Sequence, residues 1–313
     1  MRYMQTGVPQ FIRVTLVAFL LSCSLARADV IADWNATALN TVSSSEQHPA
    51  RAAQAMATVH VAMFEVMNFI EGAYVPRFLV KPPAPLGMSS EAAAAAAAHY
   101  VLLELYPGQK AALDTALDRS LAAIPDEQEK SSARIAGRHL GANIYAIWSS
   151  GGSDTSHTSK TSKISRASTP DSVASVVALN TIIARFIEAR RLKPIDGARI
   201  HALASMAVRD AYAASRDAEF TLDPGYPCAP CAIGSATLVI LESEFGPASV
   251  PGTAIASTAA SGVARKRVYV RDADELSSGQ LYRGLHYPDS IKAGEEIGRE
   301  IGMQALTSYR SIK

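Results

Sequence analysis

Near its C-terminus the chain reads Tyr282-Arg283-Gly284-Leu285-His286-Tyr287. A histidine placed directly after a glycine turn and ahead of a helix is held rigidly. Such an imidazole can serve as a nucleophile or a ligand. A second chemical candidate is Cys228-Ala229-Pro230-Cys231. The C-x-P-C order is that of thiol–disulfide sites, but those stand between a strand and a helix, and no βαβ pattern surrounds this pair. In an oxidising compartment such a pair closes a local disulfide. His60 lies beside an apolar helix face and reads as a hydrogen-bonded core histidine. His157 stands alone in a polar stretch with no second ligand nearby, so no metal site is expected there. Arg265-Lys266-Arg267 and Arg271 read first as a solvated face and only second as an anion site.

Helices must position these groups. Aromatic content is 7% and alanine is abundant, which suits close-packed helices more than sheets. In Arg51–Ile70 the residues Met56, Val59, Met63, Val66, Met67 and Ile70 recur at helical spacing. That Met- and Ala-rich helix would suit a core or a dimer interface. Ser90 is placed to cap a helix through the seven alanines Ala92–Ala98, ending at Pro107-Gly108. Asp126 and Glu129 have capping-box spacing for a helix reaching about Trp148. Thr169-Pro170 opens a helix to about Arg191, and Asp196 another to about Phe220. A short apolar helix from about Ala232 ends at Gly246. In the last helix, about Asp289 to Tyr309, Gly294, Gly298 and Gly302 recur every four residues and mark a face lying close to a neighbour. The expected architecture is all-α, with an N-terminal helical part at 29–149 and a C-terminal helical part at 170–313 sharing one core. A flexible Ser/Thr/Gly-rich loop at 150–169 joins them.

Residues 1–28 read as a signal peptide. Arg2 and Arg13 precede a short apolar run, Val14 to Leu21, and Ala26-Arg27-Ala28 is a cleavage site. The run is too short to span a bilayer, so no transmembrane span is expected after cleavage. Leu20-Leu21-Ser22-Cys23 also resembles a lipoprotein box, which makes lipidation at Cys23 the minor alternative to soluble periplasmic or secreted export. Cleavage removes three of 30 Lys+Arg and no acids, leaving 27 against 29 Asp+Glu, a net charge of −2. A chain so balanced has no bulk attraction to nucleic acid.

Several stretches, in order, resemble the vanadium-dependent haloperoxidase and type-2 phosphatidic acid phosphatase superfamily, in its bacterial haloperoxidase-like branch. They are Asp33-Trp34-Asn35, Pro49-Ala50-Arg51, Val59-His60-Val61-Ala62-Met63, Ala92–Leu105, Asn180–Leu203 and Gly284–Gly302. The resemblance covers most of the chain after residue 28 and implies an all-α bundle of the haloperoxidase/acid-phosphatase type. It also implies a site where a lysine, two arginines and a Ser-Gly pair cradle vanadate or a phosphoryl group. One histidine then ligates or attacks, and a second acts as acid–base.

Residue by residue, this chain departs from that pattern. Glu219 stands at the lysine, Pro230 at the acid–base histidine and Gln280 at an arginine. The segment carrying the other arginine is absent, since Thr221-Leu222-Asp223 leads straight on. Ser290 replaces an acid, with Asp289 one step away. His286 survives, and Arg283 and Gln280 are possible anion contacts beside it. The expectation is an exported protein whose oxyanion site is largely lost, acting by binding or assembly on an unidentified small molecule or protein, or as a homo-oligomer. No cofactor is expected. The alternatives are a divergent phosphatase or haloperoxidase using His286, the one case calling for vanadate, and a thiol–disulfide protein using Cys228 and Cys231. His286 is expected to lie near Tyr226–Gly234.

Overall fold

The computed structural model describes residues 29–46, 48–79, 87–122, 124, 126–149, 173–217, 226–246 and 288–309. Among them the regular structure is all helical. α1 is Val30–Ser45, α2 Pro49–Glu71, α3 Ser90–Leu105, α4 Lys110–Ala122 and α5 Glu127–Ser149. α6 is Val173–Arg190, α7 Pro194–Asp217, α8 Ala229–Phe245 and α9 Pro288–Leu306. The expected signal peptide, Cys23, the loop at 150–169 with His157, and the Arg265–Arg271 cluster lie outside the described residues. So do Glu219, Gln280, Arg283 and His286.

Local chemistry explains most of the helix ends. Asp29 caps α1 by accepting from the N–H groups of Ile31 and Ala32 at 3.0 and 3.2 Å. Pro49 begins α2, where its missing N–H is no loss, and Gly72 at φ 67° ends it. Asp126 accepts from Glu129 N–H at 2.7 Å, as the capping-box spacing requires. The cap of α3 is Ser89, not Ser90: Ser89 Oγ accepts from Ala92 N–H at 3.1 Å. Ser90 turns back instead and donates to Glu71 Oε1 at 2.6 Å, tying the start of α3 to the end of α2.

α2 is the central element. It packs mainly against α3 and α7, and also touches α1, α5 and α6. Every residue from Ala55 to Asn68 is buried, so the one-faced pattern read from the sequence understates its enclosure. Its methionines lie inside the chain's own core, which removes Met56–Ile70 as a dimer interface. Burial of Phe64 or any of Met56, Met63 and Met67 contributes about 1.5–3 kcal/mol. One core runs from Val30 to Tyr309 and draws on both the N-terminal and C-terminal helices.

Two helix pairs approach closely because small residues face each other. Gly137 and Gly141 of α5 lie over Ala93 and Ala97 of α3; a Cβ on Gly137 would stand 2.1 Å from Ala93 O. Gly294, Gly298 and Gly302 of α9 lie in the same manner along α8, where a Cβ on Gly298 would stand 2.1 Å from Ala232 O. The alanine run and the glycine repeat thus serve the two close contacts their patterns announce.

Candidate functional site

The turn Pro227–Cys231, at the start of α8, and the turn Gly284–Tyr287, which precedes α9 and lies outside the described residues, are where the resemblance places an oxyanion site. α8 begins three residues earlier than the sequence suggests, with Cys228 as its N-cap and Pro230 in its first turn. Proline fits there because the first-turn N–H groups have no helical partner. Cys228 Sγ accepts from Cys231 N–H at 3.2 Å, and the two cysteines are disulfide-bonded. Both are buried, at 0% and 1% exposure. Cys228 N–H donates to Ser290 O at 3.0 Å, docking this turn onto α9. Gly294 sits against Cys228 O and Cys231 Cβ.

Pro227 through Gly234 are all buried, and none carries an ionisable side chain apart from the disulfide-bonded cysteines. Ser290 is buried beside this turn, while Asp289 in the first turn of α9 is exposed. Whether His286 meets this turn lies outside the described residues. The disulfide has a direct check: after alkylation of the denatured, unreduced protein, mass mapping should find no label on Cys228 or Cys231. Two labelled thiols would contradict the bond.

The structure places a second polar constellation in the middle of the core. His60 Nδ1 lies 2.6 Å from Ser205 Oγ, and His60 Nε2 lies 3.0 Å from Asn35 Oδ1. Ser205 Oγ also lies 3.2 Å from Asn180 Oδ1, and Asn180 Nδ2 donates to Val176 O at 2.9 Å. Asn35 Oδ1 can only accept, so the contact at Nε2 is one in which His60 Nε2–H donates, leaving Nδ1 facing the Ser205 hydroxyl. His201, one helical turn before Ser205, stacks on His60 with ring centroids 4.6 Å apart.

All five side chains are buried. Burial, then the neighbouring His201, holds the His60 pKa well below its ordinary value; burial alone lowers His201 to about 4. Both rings are therefore neutral at pH 7. His60 is the hydrogen-bonded core histidine expected from the sequence. Its partners were not foreseen, although Asn35, His60, Asn180 and His201 all fall in the stretches that carry the resemblance. A polar residue on an otherwise buried helix face was the available signal.

A third cluster joins α2 to the C-terminal end. Glu65 is 1% exposed, accepts from Phe78 N–H at 3.4 Å, and has its pKa raised by burial. Tyr309, beside it, is pushed well above the usual tyrosine range by burial and by Glu65. Arg209 pairs with Asp210 and lies over the Trp148 ring at 4.1 Å. Arg199 pairs with Glu244 and lies over Tyr74 at 5.0 Å. These buried-side cations are engaged in pairing rather than converging on an open anion site. Among the described residues no three His, Cys, Asp or Glu side chains could hold a metal ion.

No family model matches the chain, and no curated protein matches it. A solved structure does: a bacterial vanadium-dependent iodoperoxidase, at 12% identity, over 92% of this chain and 97% of that one, with a TM-score of 0.70. At that identity the likeness speaks for the arrangement of helices alone, and it establishes that this all-α chain has the fold of the vanadium-dependent haloperoxidases.

Proposed function

We propose that the chain is an exported haloperoxidase-fold protein in which the oxyanion site is largely lost, and that it acts by binding or assembly. The observation that carries this reading is the first turn of α8. Pro230 stands where the resemblance puts the acid–base histidine. It has no N–H, and the Cys231 N–H is taken by Cys228 Sγ. Two of the donors that a helix N-terminus offers an anion are thereby removed.

Among the described residues, the buried stretch Pro227–Gly234 supplies no replacement cation. Glu219 at the lysine position would repel an anion, and Gln280 brings no charge. This donor set does not fit vanadate. Burial of both cysteines also weighs against thiol exchange, which needs an accessible sulfur. An oxidising compartment suits the disulfide and the export signal alike.

The test is turnover of an aryl phosphate, and of iodide with peroxide and vanadate, by the purified chain. Loss of one preorganised donor costs about 10²–10³ in rate. Activity at least about a thousandfold below that of a competent enzyme of this fold is therefore expected, and His286→Ala should not change it. Robust turnover that vanishes in a folded His286→Ala variant would overturn the proposal in favour of a divergent enzyme.

A further inference from the structure

We propose that the groove between α4 and α5 binds a small zwitterion, an α-amino acid with an apolar side chain. Its ammonium would sit at Asp118 and its carboxylate at Arg134 and Arg138. This stands apart from the fate of the oxyanion site, since α3, α4 and α5 do not pack closely against α8 or α9.

The groove follows from the helix packing. α4 and α5 each pack on α3, and they flank it rather than close over it. Glycine contacts draw α5 tightly onto the alanine run, while α4 packs on the same helix without such contacts. The space left has a volume of about 440 Å³, within the range of about 300–1,000 Å³ typical of small-molecule sites. Ala96, Leu103, Leu117 and Tyr100 give it an apolar lining.

The two walls carry opposite charge. On α4, Asp114 and Asp118 are one turn apart; on α5, Arg134 and Arg138 are likewise one turn apart. Asp114 is already engaged, by His99 at 2.8 Å and by Lys110. Asp118 and Arg134 have no hydrogen-bond or ion-pair partner among the described residues, and no ion pair crosses the groove. Arg138 lies over the Tyr100 ring at 6.0 Å, which orients its guanidinium over the floor.

Charge balance selects the ligand class. A bare anion would meet Glu104, Asp114 and Asp118; a bare cation would meet Lys110, Arg134 and Arg138. Only a molecule carrying both signs has each of its charges opposed by a complement among these residues. Bidentate capture of a carboxylate by arginine suits the α5 wall. The apolar lining suits an aliphatic side chain.

Isothermal titration of the purified chain with L-leucine, N-acetyl-leucine, leucinamide and inorganic phosphate tests this. Leucine should bind, and each compound lacking one charge should bind at least about tenfold more weakly, the value of a charge-assisted hydrogen bond. Asp118→Asn and Arg134→Gln each remove one charge from an exposed position, so the fold should persist, as checked by thermal melting. Each should weaken leucine binding about tenfold. The proposal is overturned by any of three results. These are no heat with leucine, phosphate or a singly charged derivative binding as tightly as leucine, or leucine affinity unchanged in both folded variants.

Discussion

Gly137→Ala should destabilise the protein by about 2–3 kcal/mol, measured as a shift in urea midpoint at constant slope. The sign is the informative part. In a helix interior, Gly→Ala ordinarily stabilises, because alanine is the better helix former by about 1 kcal/mol. Here the new methyl group would stand 2.1 Å from Ala93 O and 2.8 Å from Ala93 C and Cα. These are backbone atoms of a buried helix and cannot rotate aside, so α3 and α5 must separate. Separation loosens the contacts of Gly141 with Ala97 and the packing of α3 on α2. Gly108→Ala is the control: nothing lies within 4 Å of its would-be Cβ, and its effect should stay within about 0.5 kcal/mol. A Gly137→Ala variant as stable as the parent would mean that α5 does not lie on the alanine run in this register.

Acid should unfold this protein through its interior histidines. His201 titrates near 6.5 when exposed and at about 4 in the fold, because burial disfavours the imidazolium. His60 is lowered in the same direction by burial and by His201. A group with a depressed folded pKa contributes stability that is present above its unfolded pKa and is lost as pH falls toward its folded pKa. For His201 that window runs from about 6.5 down to about 4, and its share of the loss between pH 7 and pH 5 is about 2 kcal/mol.

Buried acids act oppositely. The raised pKa values of Glu65 and Asp210 favour the fold at low pH and lose that contribution as pH rises. The parent profile is the sum of these terms, so a difference isolates the histidine. Between pH 7 and pH 5, His201→Leu should lose about 2 kcal/mol less than the parent, whatever its absolute stability. Parallel profiles for the two proteins would show that His201 is accessible to protons in the folded state.

Interactions spanning a few residues could be read directly from the chain. Asp126 and Glu129 announce a helix start, Gly246 an end, Gly294, Gly298 and Gly302 a close-packed face, and Cys228 with Cys231 a local disulfide. Each rests on a force between neighbours on one turn. Even there an ambiguity survived: Ser89 and Ser90 meet the capping rule equally, and Ser89 took the cap while Ser90 bonds Glu71. That Glu219, Pro230 and Gln280 differ from the residue types the resemblance implies is read from the chain alone. His286, Arg283 and Gln280 lie outside the described residues, so their meeting with the first turn of α8 rests on the sequence alone.

Tertiary structure decided the rest. Only the sandwiching of α2 between α3 and α7 shows that its methionines are core. Only that packing joins His60 to Ser205, 145 residues away, and to Asn35 and Asn180. The Asp118 and Arg134 walls face one groove because α4 and α5 both lean on α3. Periodicity states that a helix has a face to bury. It carries no information about which helix covers that face, because the covering free energy comes from nondirectional burial of apolar surface, to which many partners could contribute alike. The choice among them is made by close steric fit, glycine against alanine, and by buried polar groups that must find one another.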